Sequence, residues 1–252
     1  MAASPKWTRE QNLAALRLYR LLPFGRFHQR NPEVIALAAQ IGRTPSAVAM
    51  RLSNFASLDP LLQERGIRGL AGISDDARRL WREFEASPED VLFEAEAVVA
   101  VMEARPLDVE PDVEAPIGDG REREALVKVR VNQRLFRQMV LNGYGSTCCV
   151  TGIDEPSLLV GSHIVPWAED VAERLNPRNG LCLNALHDRA FDVGLVTVGD
   201  DLRVQVAPKV LRAPTLARWL GEFDGVPLVF GGPLRPDPAL LRRHRARFAA
   251  SR

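Results

Sequence analysis

The chain has 252 residues, 46% hydrophobic and 26% charged, with a formal net charge of +1; this fits one large or two ordinary globular domains. No apolar run approaches the roughly 20 residues of a membrane-spanning helix. No apolar stretch follows the N-terminal Lys6, so a secretory leader is not expected either. Cys148, Cys149 and Cys182 cannot all pair, which excludes a disulfide framework and points to a reducing cytoplasm.

The N-terminal part reads as helical. WTREQNLAALRLYRLL has Thr8 as its N-cap, with Leu13, Leu16 and Leu21 near helical spacing. RNPEVIALAAQIG is a second helix, capped by Asn31, with Pro32 at its first position and Gly42 just past its end. RTPSAVAMRLSNF is a third, capped by Thr44, with Val48, Leu52 and Phe55 as its apolar stripe. Helix, glycine turn and helix make a helix-turn-helix pattern, which would offer Arg43 and Arg51 to DNA. A plain helical bundle with a solvated face is the competing reading. Two further amphipathic helices follow in SDDARRLWREFEASPEDVLFEAEAVVAVM, capped at Ser74 and near Ser87.

RPLDVEPDVEAPIGDGRERE is acidic, carries proline and has no apolar period. It divides the chain into a helical domain over 1–104, a linker over 105–124 and a second domain over 125–252. Net charge says little about nucleic acid, but the acids gathered from Asp108 to Glu124 leave the flanks more basic. Nearly all the cations are arginine, whose planar fork suits phosphate. Base composition of the genome is the blander cause of that bias.

The second domain mixes helix and strand. REALVKVRVNQRLFRQMVLNGY is a helix, or a strand then a helix, ending at Gly143. LLVGSHIVP is a short strand, and GLCLNALHDRAFD a strand passing into a helix. GLVTVGDDLRVQVAP is a hairpin around Gly199, Asp200 and Asp201. DPALLRRHRARFAASR is a basic amphipathic terminal helix.

Two of the four histidines fall between Gly161 and Gly194, together with Asn179, Asp188 and Asp192. Strand, His163, loop, Asn179, strand, then a helix opening on His187 and Asp188 is a ββα order. Hydrolysis of a phosphodiester needs a base for water, a divalent cation and a group that holds the base. A near-neutral histidine, a carboxylate and a loop asparagine supply those residue types.

The run from Cys148 to Leu195 resembles the HNH, or ββα-metal, nuclease superfamily. The matching blocks are Cys148-Cys149-Val150-Thr151-Gly152, Ser162-His163-Ile164-Val165-Pro166-Trp167, Asn179-Gly180-Leu181-Cys182-Leu183, Asp188-Arg189-Ala190-Phe191-Asp192 and Gly194-Leu195. They are closest to a branch found among bacterial restriction endonucleases. The helical N-terminal part resembles a region attached to that branch.

The resemblance implies His163 as general base, Asn179 as the residue that holds the loop and Asp188 as metal ligand. His187 competes with Asp188 as ligand or serves in catalysis, although it could instead pack at the helix start. Ser162 stands where relatives carry a second ligand. Gly152 and Leu186 stand where zinc-bearing relatives carry cysteine, which argues against a structural zinc. Asp192 reads as bonding backbone at the following turn. Arg130, Arg137 and Arg178 flank the site as phosphate contacts.

The expectation is therefore an α+β protein in which a helical DNA-recognition domain is joined by an acidic linker to a ββα-metal nuclease core. It would cut DNA with Mg²⁺, Mn²⁺ or another divalent ion, restrict foreign or modified DNA, and possess no membrane partner. A homodimer would let it cut both strands. The rival readings are a DNA-binding regulator with a decayed site and an RNA or structure-specific nuclease.

Overall fold

The structure is a computed structural model that describes residues 6–67, 72–107 and 120–248. Helices dominate, and the described strands form two small antiparallel sheets, an α+β composition. The chain forms two compact units, Met1–Arg134 and Leu135–Arg252.

The first unit is built from α1 (Arg9–Leu21), α2 (Pro32–Gln40), α3 (Pro45–Leu58), α4 (Pro60–Glu64), α5 (Asp75–Ala86) and α6 (Pro88–Met102). The expected caps close three of them. Thr8 accepts from the Gln11 N–H, and the Gln11 side chain accepts from the Thr8 N–H, a reciprocal capping box. Asn31 accepts from Glu33 N–H and Thr44 from Ala47 N–H. Gly42, with φ +65°, turns the chain from α2 into α3. Leu13, Leu16, Val48, Leu52, Phe55 and Leu92 fill the core.

Ser74 and Ser87 stand at the N-caps of α5 and α6, yet neither side chain caps a backbone N–H of the helix it precedes. The Ser74 hydroxyl instead accepts from the Arg51 guanidinium. Glu96 is 1% exposed and meets Arg17, Arg105 and Arg134. Burial alone would raise its carboxyl, but the Arg17 and Arg105 guanidinia outweigh that and hold it below the ordinary value.

Of the expected linker, residues 108–119 lie outside the described residues. Residues 120–124 are not linker but the first turns of α7 (Gly120–Gly143), a single helix with no strand before it. Alternating acids and arginines are good helix formers, so charge density there does not break the helix. The boundary between the compact units falls within α7. Its earlier turns bond into the first unit, where Lys128 pairs with Asp90 and the Asn132 amide donates to the Glu89 carbonyl.

The second unit continues α7 into β1 (Leu159–His163), β2 (Gly180–Asn184), α8 (Ala185–Asp192), β3 (Val196–Val198), β4 (Val204–Val206), α9 (Pro208–Leu211), α10 (Pro214–Leu220) and α11 (Pro238–Arg247). β1 pairs antiparallel with β2, with Gly161 opposite Cys182 and His163 opposite Gly180. β3 and β4 form the expected hairpin, with Val196 opposite Val206. α8 packs on both β1 and β2, which completes a ββα unit.

Two glycines let α7 lie close on this hairpin. A Cβ at Gly161 would stand 2.9 Å from the Arg137 Cα, and one at Gly180 would collide with Val140. Both residues belong to the face that carries His163, because residues directly paired across a sheet point the same way. α11 is anchored by His244, whose ring stacks on Phe191 at 3.6 Å. One ring nitrogen donates to the Phe191 carbonyl, and the other pairs with the Thr197 hydroxyl.

Candidate active site

His163 closes β1, where the chain leaves the sheet for the loop that returns at Gly180. Its ring is half-buried and stacks on Phe136 of α7 at 3.5 Å, with Trp167 edge-on at 5.6 Å. Nε2 lies 3.1 Å from the Arg174 backbone oxygen. A carbonyl oxygen only accepts, so Nε2 carries the proton and Nδ1 of the neutral ring keeps its lone pair. Burial pushes the His163 pKa below the ordinary histidine value, against the opposing pull of the Arg174 carbonyl. The ring is therefore neutral near pH 7, with one nitrogen able to take a proton.

Arg174 is itself held in place. Its Nε donates to the Trp167 carbonyl at 2.8 Å, and its guanidinium lies over the Trp167 ring. Asn179 ties the loop to the end of β1. Its Oδ1 accepts from Val165 N–H at 2.8 Å. Its Nδ2 donates to the carbonyls of Val165 and Glu173 at 3.0 and 3.1 Å. Its own carbonyl accepts from Ile164 N–H. At 1% exposure it replaces water for every one of those loop groups.

The CCVTG block folds as a tight knuckle without needing a second thiol pair. Cys148 Sγ accepts from Thr151 N–H and Asn184 N–H, and Gly152 turns with φ +74°. Cys149 N–H donates to the Cys182 carbonyl, which fastens the knuckle to β2. Burial pushes the Cys149 thiol well up and that of Cys182 to about 12, so both are inert neutral thiols.

Of the three expected ligands, His187 and Ser162 are buried and Asp188 is half-buried. His187 is 3% exposed, its Nδ1 donates to Asn184 Oδ1 at 3.1 Å, and its ring stands edge-on to Phe223. Burial alone lowers its pKa. Its Nε2 is buried and has no hydrogen-bond partner among the described residues, and because neighbouring helix positions diverge its ring turns inward while Asp188 is half-buried. Ser162 is 2% exposed, and alternation along β1 puts it on the opposite face from His163. Among the described residues no three His, Cys, Asp or Glu side chains form a metal cage.

The structure brings Asp188 to Asp192 instead. They sit one helical turn apart on α8, and neither carboxylate makes a hydrogen bond or ion pair among the described residues. Desolvation, then the negative charge of Asp188, raise the Asp192 carboxyl above its ordinary value; Arg189 and Arg247 oppose the rise. Asp192 thus does not bond the following turn as expected. The i, i+4 spacing of the two acids was the signal in the sequence that marks it. Two unpartnered carboxylates in mutual repulsion fit a hard divalent cation that also keeps water and phosphate ligands.

Arg51, Arg43, Arg137 and Arg178, four of the expected phosphate contacts, already bond within the protein. Arg51 is 5% exposed and reaches Ser74 and Asp76, with its guanidinium over Trp7. Arg43 donates to Gln11 and to the Lys6 carbonyl. Arg137 donates to the carbonyls of Pro156 and Leu159, bracing α7 against the start of β1. Arg178 pairs with Asp237 at the cap of α11. Helical spacing says which residues share a face but not which carboxylate or carbonyl will meet them. Arg130 lies half-buried on α7.

Residues 148–199, about a fifth of the chain, match the HNH_2 family, described as HNH endonuclease. The match covers the knuckle, both strands of the ββα unit, α8 and β3. Comparison with curated proteins gave no match. No described helix is long and apolar enough to cross a membrane.

Proposed function

We propose that the protein is a metal-dependent DNA endonuclease, in which the ββα unit hydrolyses a phosphodiester and the helical unit positions the DNA. The observation that carries this reading is the neutral His163, fixed through Nε2 by the Arg174 carbonyl, inside the segment that matches an HNH endonuclease family. Nδ1 takes a proton from the attacking water. Asn179 keeps the loop, and with it the Arg174 carbonyl, in register with the end of β1. Asp188, with Asp192 beside it, would hold a divalent ion. When bound, that ion supplies neutralisation of the charge developing on the phosphate and the leaving oxygen.

One such site per chain cuts one strand at a time. A second copy, or a second visit, completes a double-strand break. Restriction of foreign or modified DNA is the biological role that best suits a helical unit joined to such a site. The decisive experiment incubates purified protein with plain, methylated and hydroxymethylated plasmid, in Mg²⁺ or Mn²⁺, beside His163→Ala. Cleavage by wild type alone is the expected result. Equal inertness of both proteins on every DNA would replace the nuclease with a DNA-binding regulator, the reading that Ser162 and the missing third ligand favour. Activity confined to RNA would move the substrate class.

A further inference from the structure

α9 and α10 form an unusually bare segment of the second unit. Leu211, Leu216 and Trp219 are 45%, 40% and 60% exposed, and Trp219 is the most exposed aromatic side chain among the described residues. Leu216 and Trp219 stand three apart and share a helix face. Leu211 lies on the other side of α10, where a Cβ at Gly221 would stand 3.5 Å from both its Cδ2 and the Ala217 Cβ. An apolar side chain exposed singly is ordinary, but Leu216 and Trp219 exposed together on one face make an apolar stripe.

Charge tells what covers it. Lys209 on α9, Arg212 at its C-cap and Arg218 on α10 are all exposed and make no ion pair among the described residues. The cations of α11 differ: Arg242, Arg243, Arg245 and Arg247 all reach carboxylates at Glu169, Asp170 or Asp200. Glu222 is the single acid between Pro208 and Phe223. The Arg218 guanidinium lies 5.4 Å from the Trp219 ring centroid, so the cation and the aromatic face form one unit. Unpaired cations on a segment that also bears an exposed indole match a polyanion that offers flat apolar faces. A nucleic-acid strand has both, phosphates outside and base faces within.

We propose that α9–α10 is a DNA-contact surface, in which Lys209, Arg212 and Arg218 hold phosphates and Trp219 stacks on an unpaired or wedged base. This rests on the nuclease reading for the choice of DNA. The surface gives affinity and distortion of the strand, not sequence reading. It adds to any phosphate contacts of Arg137 and Arg178, whose guanidinia already bond Pro156, Leu159 and Asp237.

The test measures binding of the full chain, in EDTA so that nothing is cut, to fluorescent duplex DNA with and without a mismatch, by anisotropy over a salt series. Lys209→Ala/Arg212→Ala/Arg218→Ala together should lower the slope of log affinity against log salt by roughly two to three. Trp219→Ala should weaken binding to the mismatched duplex by about tenfold, while Trp219→Phe keeps most of it. All four side chains are exposed, and thermal melts matching wild type show that the variants fold. Wild-type affinity and salt slope in both alanine variants would overturn the inference, as would a Trp219-dependent self-association with no effect on DNA. Plasmid cleavage separates this from the nuclease reading. If wild type cuts DNA and the variants bind and cut as well as it does, only the surface fails. If wild type binds DNA through Trp219 yet cuts nothing, only the nuclease reading fails. If wild type binds no DNA, both fail.

Discussion

His163 Nε2 lies 3.1 Å from the backbone oxygen of Arg174, eleven residues along the chain. That one contact sets the tautomer, so the nitrogen with the lone pair is Nδ1. It also makes the protonation state of the ring a property of the loop. Burial lowers the pKa of His163 from the ordinary 6.5, so as pH falls the ring stays neutral beyond the point where a free histidine is protonated. Cleavage should persist through pH 6.5 and decline only below it, read as single-turnover rate against pH. Stability follows the same sign. The contribution from this group is complete above 6.5 and is lost as pH falls through the folded-state value, because the unfolded ring binds the proton first. A rate that halves at the free-histidine value would remove burial from the account.

Asn179 is the residue on which the loop depends. Asn179→Asp keeps an acceptor for Val165 N–H but loses both donors, and places a charge among the carbonyls of Val165 and Glu173. Such a buried mismatch costs about 1–3 kcal/mol or more. A lower midpoint in urea, with a cleavage rate down by at least about 100-fold, is expected, since the Arg174 carbonyl loses its register with His163. Unchanged stability would mean that the loop holds itself.

Asp188→Asn and Asp192→Asn probe the paired carboxylates. Each should raise the Mg²⁺ concentration needed for half-maximal cleavage, by at least about tenfold for Asp188. Direct calorimetric titration of Mn²⁺ into each variant reads the same loss without relying on activity. In wild type, divalent ion should lower the raised pKa of Asp192, which carboxyl NMR can follow. His187→Gln should leave ion affinity unchanged and lower the melting temperature, because His187 packs against Asn184 and Phe223.

Arg51 and Glu96 predict a structural rather than a binding phenotype. Arg51→Ala empties a buried position that bonds Ser74 and Asp76, so it should destabilise the protein by roughly 1–3 kcal/mol. DNA affinity of the folded fraction should hardly change. Glu96 has its carboxyl held below the ordinary value, so it contributes stability above the unfolded carboxylate pKa and loses it as pH falls through the folded one. Glu96→Gln should therefore flatten the acid limb of a stability-against-pH curve.

Much of the fold was legible in the residues because its signals are local. Thr8, Asn31 and Thr44 cap the helices they precede, and each does so by bonding a backbone N–H two or three residues away. The hairpin around Gly199 and the strand–loop–strand–helix order from Leu159 to Asp192 were legible for the same reason. Ser74 misled because a distant guanidinium, Arg51, competes for its hydroxyl. The start of α7 was obscured by charge density, which suits an exposed helix as well as a linker.

The chain order alone determined that an imidazole, an asparagine and two acids would be gathered within one ββα unit, since strand and helix periods are properties of short stretches. Only the tertiary structure decided which nitrogen of His163 is bare, and that Arg51, Arg137 and Arg178 meet Asp76, Pro156 and Asp237. Those outcomes depend on partners brought close by folding, at separations where sequence spacing carries no geometric information.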